Sequence, residues 1–256
     1  MQRILKFDTV LALTILFLLI FGLIMITSIG VPKSISLSAP DILYPSCSDS
    51  NVDCYLLFKK HLIRLFVGLL GFVIAWRLPI KFWKKSSTII FALTLLALLA
   101  VLVLGKNFGT IAQNWLEVFD TSLQPSEFAK LGIILYLSNW FAKRRESVES
   151  FHDGFLPFCV ISGLVILPII LQNDYGSTMV IGLIALGIYF VAGANIKHLA
   201  FGLLLSLIAA IIVISVVPHV RERFQGFLRV NEECLEDYCW QSQQANVAVG
   251  SGGFFG

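Results

Sequence analysis

Charged side chains are scarce in this chain. Aspartate, glutamate, lysine and arginine make up 14% of its 256 residues, against about a quarter in soluble domains. That shortfall excludes a water-soluble globular protein. Histidine is rarer still, and His61, His152, His198 and His219 are scattered. They form no zinc-type Cys/His cluster, so no metal site is expected, and their spacing marks no Ser-His-Asp set. The run Gly250-Ser251-Gly252-Gly253 is not followed by Gly-Lys-Ser/Thr, which excludes a nucleotide-binding P-loop. No segment repeats at the ~20–50-residue period of repeat proteins, and nothing points to a nucleic-acid partner.

What the chain has in abundance is apolar length. Hydrophobic residues make up 57% of it, in runs near the ~20 residues that cross a bilayer. Seven spans are expected, at about 9–30, 61–80, 87–105, 124–141, 155–171, 176–193 and 199–217. They are apolar all round, as helices surrounded by lipid or by other helices should be. The fold class is therefore all-α, a polytopic membrane helix bundle. The first run follows Arg3 and Lys6 and is too long for the ~7–15-residue apolar core of a signal peptide, so it reads as a retained span.

The fourth span is short, and two counts decide for it. Seven crossings from a cytoplasmic N-terminus put Arg3, Lys6, Arg77, Lys81, Lys84, Lys85, Lys143, Arg144, Arg145 and Lys197 inside. Outside remain Lys33, Lys59, Lys60, Lys106, Arg221, Arg223 and Arg229, a balance that agrees with the positive-inside rule. The same topology puts Cys47, Cys54, Cys234 and Cys239 outside, where disulfides persist. Cys47–Cys54 and Cys234–Cys239 are the expected bridges, in an external loop over 31–60 and in an external segment over 218–256.

Glu127 is the one acid inside a span, and Arg64 and Lys130 are the basic residues there, with Arg77 near the end of the second span. A charge at the bilayer centre costs roughly 2.5–3.5 kcal/mol, so such residues are paired or functional. Glu127 and Lys130 stand one turn apart and can face each other. Their chemistry alone allows a self-satisfied ion pair near the interface or the wall of a polar cavity. Gln172-Asn173-Asp174-Tyr175-Gly176-Ser177 reads as a turn joining two spans. Arg221 and Arg223 suit phosphate contacts or interfacial anchoring equally, and the late glycines read as linker.

Four stretches, in order, carry a resemblance. Phe7-Asp8 opens a first span that ends with Gly22, Met25 and Ser28. Gln124-Pro125-Ser126-Glu127-Phe128-Ala129-Lys130 resembles the QPSE-x-x-K signature of the SEDS family (shape, elongation, division and sporulation), the family of FtsW, RodA and SpoVE. Gln172-Asn173-Asp174-Tyr175-Gly176 resembles its Q-P-D-x-G. Trp240 to Gln244, then Ala248 to Gly253, resembles its Y-Q-x-x-Q-S-x-x-A-I-G-S-G-G. The wording of Tyr136–Arg144 and Gly154–Phe158 is similar to the FtsW-like branch.

The departures are specific. Asn114-Trp115 stands where the family has Arg-Trp, Asn173 where it has proline, Trp240 where it has tyrosine and Ala245 where it has serine. The resemblance implies a peptidoglycan glycosyltransferase of the bacterial plasma membrane that polymerises lipid II, the undecaprenyl-pyrophosphate-linked disaccharide-peptide. It implies a class B penicillin-binding protein and other division or elongation proteins as partners. Glu127, Lys130, Asp174, Arg221, Arg223, Gln241 and Gln244 are then the candidates for a substrate cavity. No cofactor is fixed, although magnesium or manganese is one means of holding the leaving phosphates. The other readings are a lipid II flippase or transporter, and a scaffold without activity of its own. The family has about ten spans, and its catalytic aspartate lies in a His-Thr-Asp-like word after the glycine run. No such word precedes Gly256, so the catalytic residue stays unassigned. The sequence is expected to be an incomplete SEDS domain, part of a longer gene and inactive as it stands.

Overall fold

The computed structural model describes residues 8–39, 45–49, 52–106, 112–118, 121–228 and 240–253. They form two units, Met1–Ile80 and Lys81–Gly256, and each is taken by itself.

The first unit is a pair of apolar helices, α1 (Thr9–Ser38) and α2 (Leu56–Arg77). Asp8 caps α1 by accepting the Leu11 amide at 3.0 Å, as an N-terminal aspartate should. Thr14, Thr27 and Ser34 return their hydroxyls to carbonyls one turn back, which hides polar atoms inside an apolar helix. The loop expected over 31–60 is narrower than its sequence suggested. Here α1 runs through Pro32 to Ser38, and the Ser34, Ser36 and Ser38 hydroxyls donate to the Gly30, Lys33 and Ile35 carbonyls along its last turns. Ser34 and Ser38 also accept the Leu57 and Asp53 amides, tying the start of α2 to the end of α1. Cys47 and Cys54 form a disulfide with Cα atoms 5.8 Å apart, and Lys59 pairs with Asp53 at 2.8 Å.

The second unit holds α3 (Ile80–Leu104), a hairpin of β1 (Leu116–Val118) and β2 (Thr121–Leu123), α4 (Pro125–Ala142), α5 (Leu156–Leu171), α6 (Tyr175–Val191), α7 (Ile196–Val216), α8 (Pro218–Leu228) and α9 (Trp240–Gly252). A π-helical turn, Phe151–Phe155, leads into α5. The hairpin is antiparallel, with Leu116 opposite Leu123 and Val118 opposite Thr121.

The core of this unit is a set of helical stripes. Ala129, Ile133, Leu137 and Phe141 of α4 are buried, as are Ile181, Ala185 and Tyr189 of α6. Both series have the four-residue spacing that keeps side chains on one helix face. Between α3 and α4 the register is antiparallel and fixed at three heights. Asn139 donates to the Lys84 carbonyl and the Ser87 hydroxyl, Tyr136 stacks on Phe91 at 4.3 Å, and Gly132 abuts Thr94. A Cβ on Gly132 would lie 2.7 Å from Thr94 Oγ1. Gly132→Leu is therefore expected to lose about 1–3 kcal/mol through overpacking. Gly182→Ala, where a Cβ meets nothing within 4 Å, should leave the thermal unfolding midpoint unchanged or slightly raised.

Helices form at all seven expected segments. Four of them are long and apolar enough to cross a membrane: Thr9–Ser38, Ile80–Leu104, Phe151–Leu171 and Ile196–Val216. The segment after 217, expected to be external, is not plain loop. Pro218 opens α8, as proline suits the first helical turn. The glycine run read as linker ends α9 instead, with Gly253 at φ 60° in the left-handed position that closes helices.

Candidate functional site

The turn between α5 and α6 is built from two helix-ending devices back to back. At its centre Asn173 has φ 58°. The Asn173 amide reaches the Ile170 carbonyl at 2.9 Å and the Asp174 amide reaches Ile169 at 3.2 Å, the paired bonds of a Schellman motif. Asp174 then caps α6 through the Ser177 amide, 3.0 Å from Oδ1. One residue thus closes α5 and the next opens α6, which is why the motif reads as a turn.

What the turn reading did not contain is the convergence on Asp174. Its Oδ2 accepts three donors: Asn114 Nδ2 at 2.8 Å, Gln124 Nε2 at 3.0 Å and Ser177 Oγ at 2.8 Å. Ser177 also lies 3.4 Å from Ser126 Oγ. Gln172, 2% exposed, donates to the Leu98 carbonyl at 3.0 Å, and its own carbonyl accepts the Gln113 amide. The α3–α4 connection, the start of α4 and the α5–α6 turn are therefore bonded together.

A cavity of about 340 Å³ opens beside this network. Asn114, Trp115, Asp174 and Tyr175 line one side, and His219 and Arg223 of α8 line the other. The Tyr175 and His219 rings lie 5.8 Å apart. Asn114 is 7% exposed, and its Oδ1 is buried with no hydrogen-bond partner.

Burial raises the proton affinity of Asp174, but the bonds from the Ser177 amide, Asn114, the Ser177 hydroxyl and Gln124 outweigh it, and its pKa lies below the ordinary 3.8. At neutral pH this carboxylate is an oriented anion and hydrogen-bond acceptor, poorly suited to taking up a proton. Because the folded value is lowered, its stabilising contribution is full above 3.8 and is lost as pH falls through the folded value. The gap in thermal midpoint between the wild type and Asp174→Asn is thus expected to be flat from pH 8 to 5 and to shrink below 3.8, as pH-resolved melting would record.

Asp174 is the cavity's single carboxylate, and both its oxygens are taken by N–H and O–H donors. These residues do not fit a divalent cation, and the described residues include no group of three or more His, Cys, Asp or Glu placed to hold a metal.

The other candidates fall in different places. Lys130 pairs with Glu127 at 2.7 Å, with side chains 27% and 56% exposed, and neither lines the cavity. Arg223 does line it, whereas Arg221 turns back to the Ser215 carbonyl at the end of α7. Gln244 is exposed on α9. The Gln241 side chain, Cys234 and Cys239 lie outside the described residues. Asn114, Gln124, Ser177 and His219 were missed as site residues. Only Asn114 carried a signal, as the amide standing where an arginine is usual.

Residues 8–256 match the family of FtsW, RodA and SpoVE, described as cell cycle proteins. The chain belongs to this family. The SEDS resemblance drawn from the motif words is thereby borne out, and the relatives favour its FtsW-like side. Over its whole length the chain is 32% identical to a Burkholderia thailandensis protein named probable peptidoglycan glycosyltransferase FtsW, and covers 54% of it. It is 29% identical over 80% of its length to a Taylorella equigenitalis protein of the same name, covering 56% of that one. The chain thus spans about half the length of these curated relatives.

Two solved structures share the fold. A chain from a structure titled as a peptidoglycan synthase complex that coordinates polymerization and crosslinking superposes with a TM-score of 0.61 at 24% identity, over 91% of this chain and 66% of that one. The rod shape determining protein RodA of Thermus thermophilus superposes with a TM-score of 0.52 at 23% identity, over 73% and 58%. With its apolar helices, this family member is a multi-pass membrane protein.

Proposed function

We propose that this protein works in peptidoglycan glycosyl transfer, polymerising lipid II into glycan strands with a class B penicillin-binding protein as partner. The observation that carries this reading is the bond from Gln124 to Asp174, 3.0 Å long between residues 50 apart. It joins the QPSE word to the Gln-Asn-Asp word in one polar site at one end of the helices. That end is the external face in the proposed topology, with the N-terminus in the cytoplasm.

The chemistry suits such a site. An acceptor sugar hydroxyl bonds to the anomeric carbon of a second lipid II, its proton passes to a base, and the lipid pyrophosphate departs. The Trp115 and Tyr175 side chains offer stacking surface to a sugar, beside the anionic Asp174 carboxylate. Arg223 and His219 offer donors to an anionic group. Glu127 and Lys130 bring a charge pair to the same end, one turn into α4.

The test is lipid II polymerisation by the purified full-length protein, with and without its penicillin-binding partner. Glycan strands resolved on a gel are expected in the presence of the partner. Translocation of lipid II without strands would mark a flippase, and neither activity would mark a scaffold.

A further inference from the structure

Far from Asp174, at the other end of α4 and α6, lies a second concavity of about 790 Å³. Its walls are apolar, formed by Ile134, Phe141, Ile184, Ile188 and Val191, and Gly187 lies in its floor. A Cβ at Gly187 would meet nothing within 4 Å, so this glycine leaves open space rather than allowing close helix packing. Arg145 stands at the mouth. It is exposed, and no carboxylate among the described residues forms an ion pair with it.

The surroundings give the mouth its depth and sign. The Arg144 guanidinium sits 4.6 Å from the Trp140 ring centre, and tryptophan marks the level of lipid headgroups. Lys143, Arg144 and Arg145 follow the last turn of α4. Asn139 bonds the Lys84 carbonyl, which brings the Lys84-Lys85 end of α3 to the same end, and Lys197 begins α7 there. Glu146, Glu149 and Asp153 are the acids of this region, so cations predominate. By the positive-inside rule this end faces the cytoplasm.

We propose that the groove holds an anionic phospholipid of the cytoplasmic leaflet, with an acyl chain along α4 and α6 and the phosphate on Arg145. An apolar slot alone would accept any lipid tail. An unpaired arginine at headgroup depth, on the side where the leaflet is anionic, selects the headgroup. This site is distinct from the Asp174 cavity and does not depend on the function proposed for it.

The test is native mass spectrometry of the purified full chain, exchanged with equal amounts of phosphatidylglycerol and phosphatidylcholine of matched tails. Wild-type protein is expected to retain phosphatidylglycerol about fivefold over phosphatidylcholine, the ratio that one basic surface contact supplies. Arg145→Gln should bring that ratio to about one while tail binding persists. Gly187→Leu fills the slot and should cut retention of both lipids, with the thermal midpoint kept. Lys143→Gln, away from the groove wall, should keep most of the preference. Equal retention of the two lipids by wild-type protein would overturn the proposal. So would a headgroup preference that survives Arg145→Gln, or a groove occupied by a protein segment that excludes both lipids.

Discussion

Replacing Asn173 by proline, the residue usual in this family's word, is expected to destabilise the protein by about 3 kcal/mol or more. The cause lies in the backbone. Asn173 sits at φ 58°, and the proline ring fixes φ near about −65°. Proline also removes the amide that bonds the Ile170 carbonyl at 2.9 Å, half of the Schellman pair that ends α5. Asparagine tolerates the left-handed conformation better than most residues, and glycine tolerates it without cost. Asn173→Gly should therefore melt close to the wild type, whereas Asn173→Pro should melt roughly 6–12 °C lower for a chain of this size. Thermal unfolding in detergent, followed by intrinsic fluorescence, measures both. A proline variant as stable as the wild type would show that the turn does not have this conformation.

Asp174→Ala should have the largest functional effect. It removes the cap of α6, worth about 1 kcal/mol, and strips the partner from Asn114, Gln124 and Ser177. Stranding the buried Asn114 amide adds about 1–3 kcal/mol. If the cavity engages lipid II, polymerisation should fall by about 100-fold or more, as when a preorganised polar group is lost from an active site. Asp174→Asn separates the two effects. It keeps a capping oxygen and nearly the same shape, so most of the stability should return, but it places an amide against two amide donors and removes the charge. Rates of strand formation and melting curves on both variants give the split. Activity that recovers with stability in Asp174→Asn would reduce Asp174 to a structural cap.

The helices were legible because long apolar runs leave the chain few other choices in a bilayer. Their ends were less so. The first span was expected to end near Gly30, yet the helix continues through Pro32 to Ser38. Pro218 and the late glycines looked like loop, although proline opens α8 and Gly253 closes α9. At the site, Gln124 and Asp174 were visible as words but not as partners. Local residues account fully for a turn at 172–177, and only the fold brings Asn114 and Gln124 onto the same carboxylate oxygen. Asn114 had been marked solely as the loss of an arginine. The structure gives its role here: a neutral donor to Asp174, which leaves the cavity without the positive charge that an arginine would add. Glu127 and Lys130 stood out because charge in a span is conspicuous. Their mutual pairing followed from spacing, but which surface they face could not.

The most direct test of the account is whether the cavity beside Asp174 touches lipid II. A benzophenone amino acid placed at His219, on the cavity wall, would be irradiated with labelled lipid II in proteoliposomes carrying the penicillin-binding partner. The same probe at Lys143, at the opposite end of the helices, serves as the reference. The account predicts a lipid II adduct at His219 that unlabelled lipid II competes away, and none above background at Lys143. No adduct at His219 in a preparation that polymerises lipid II, or equal adducts at both positions, would contradict it.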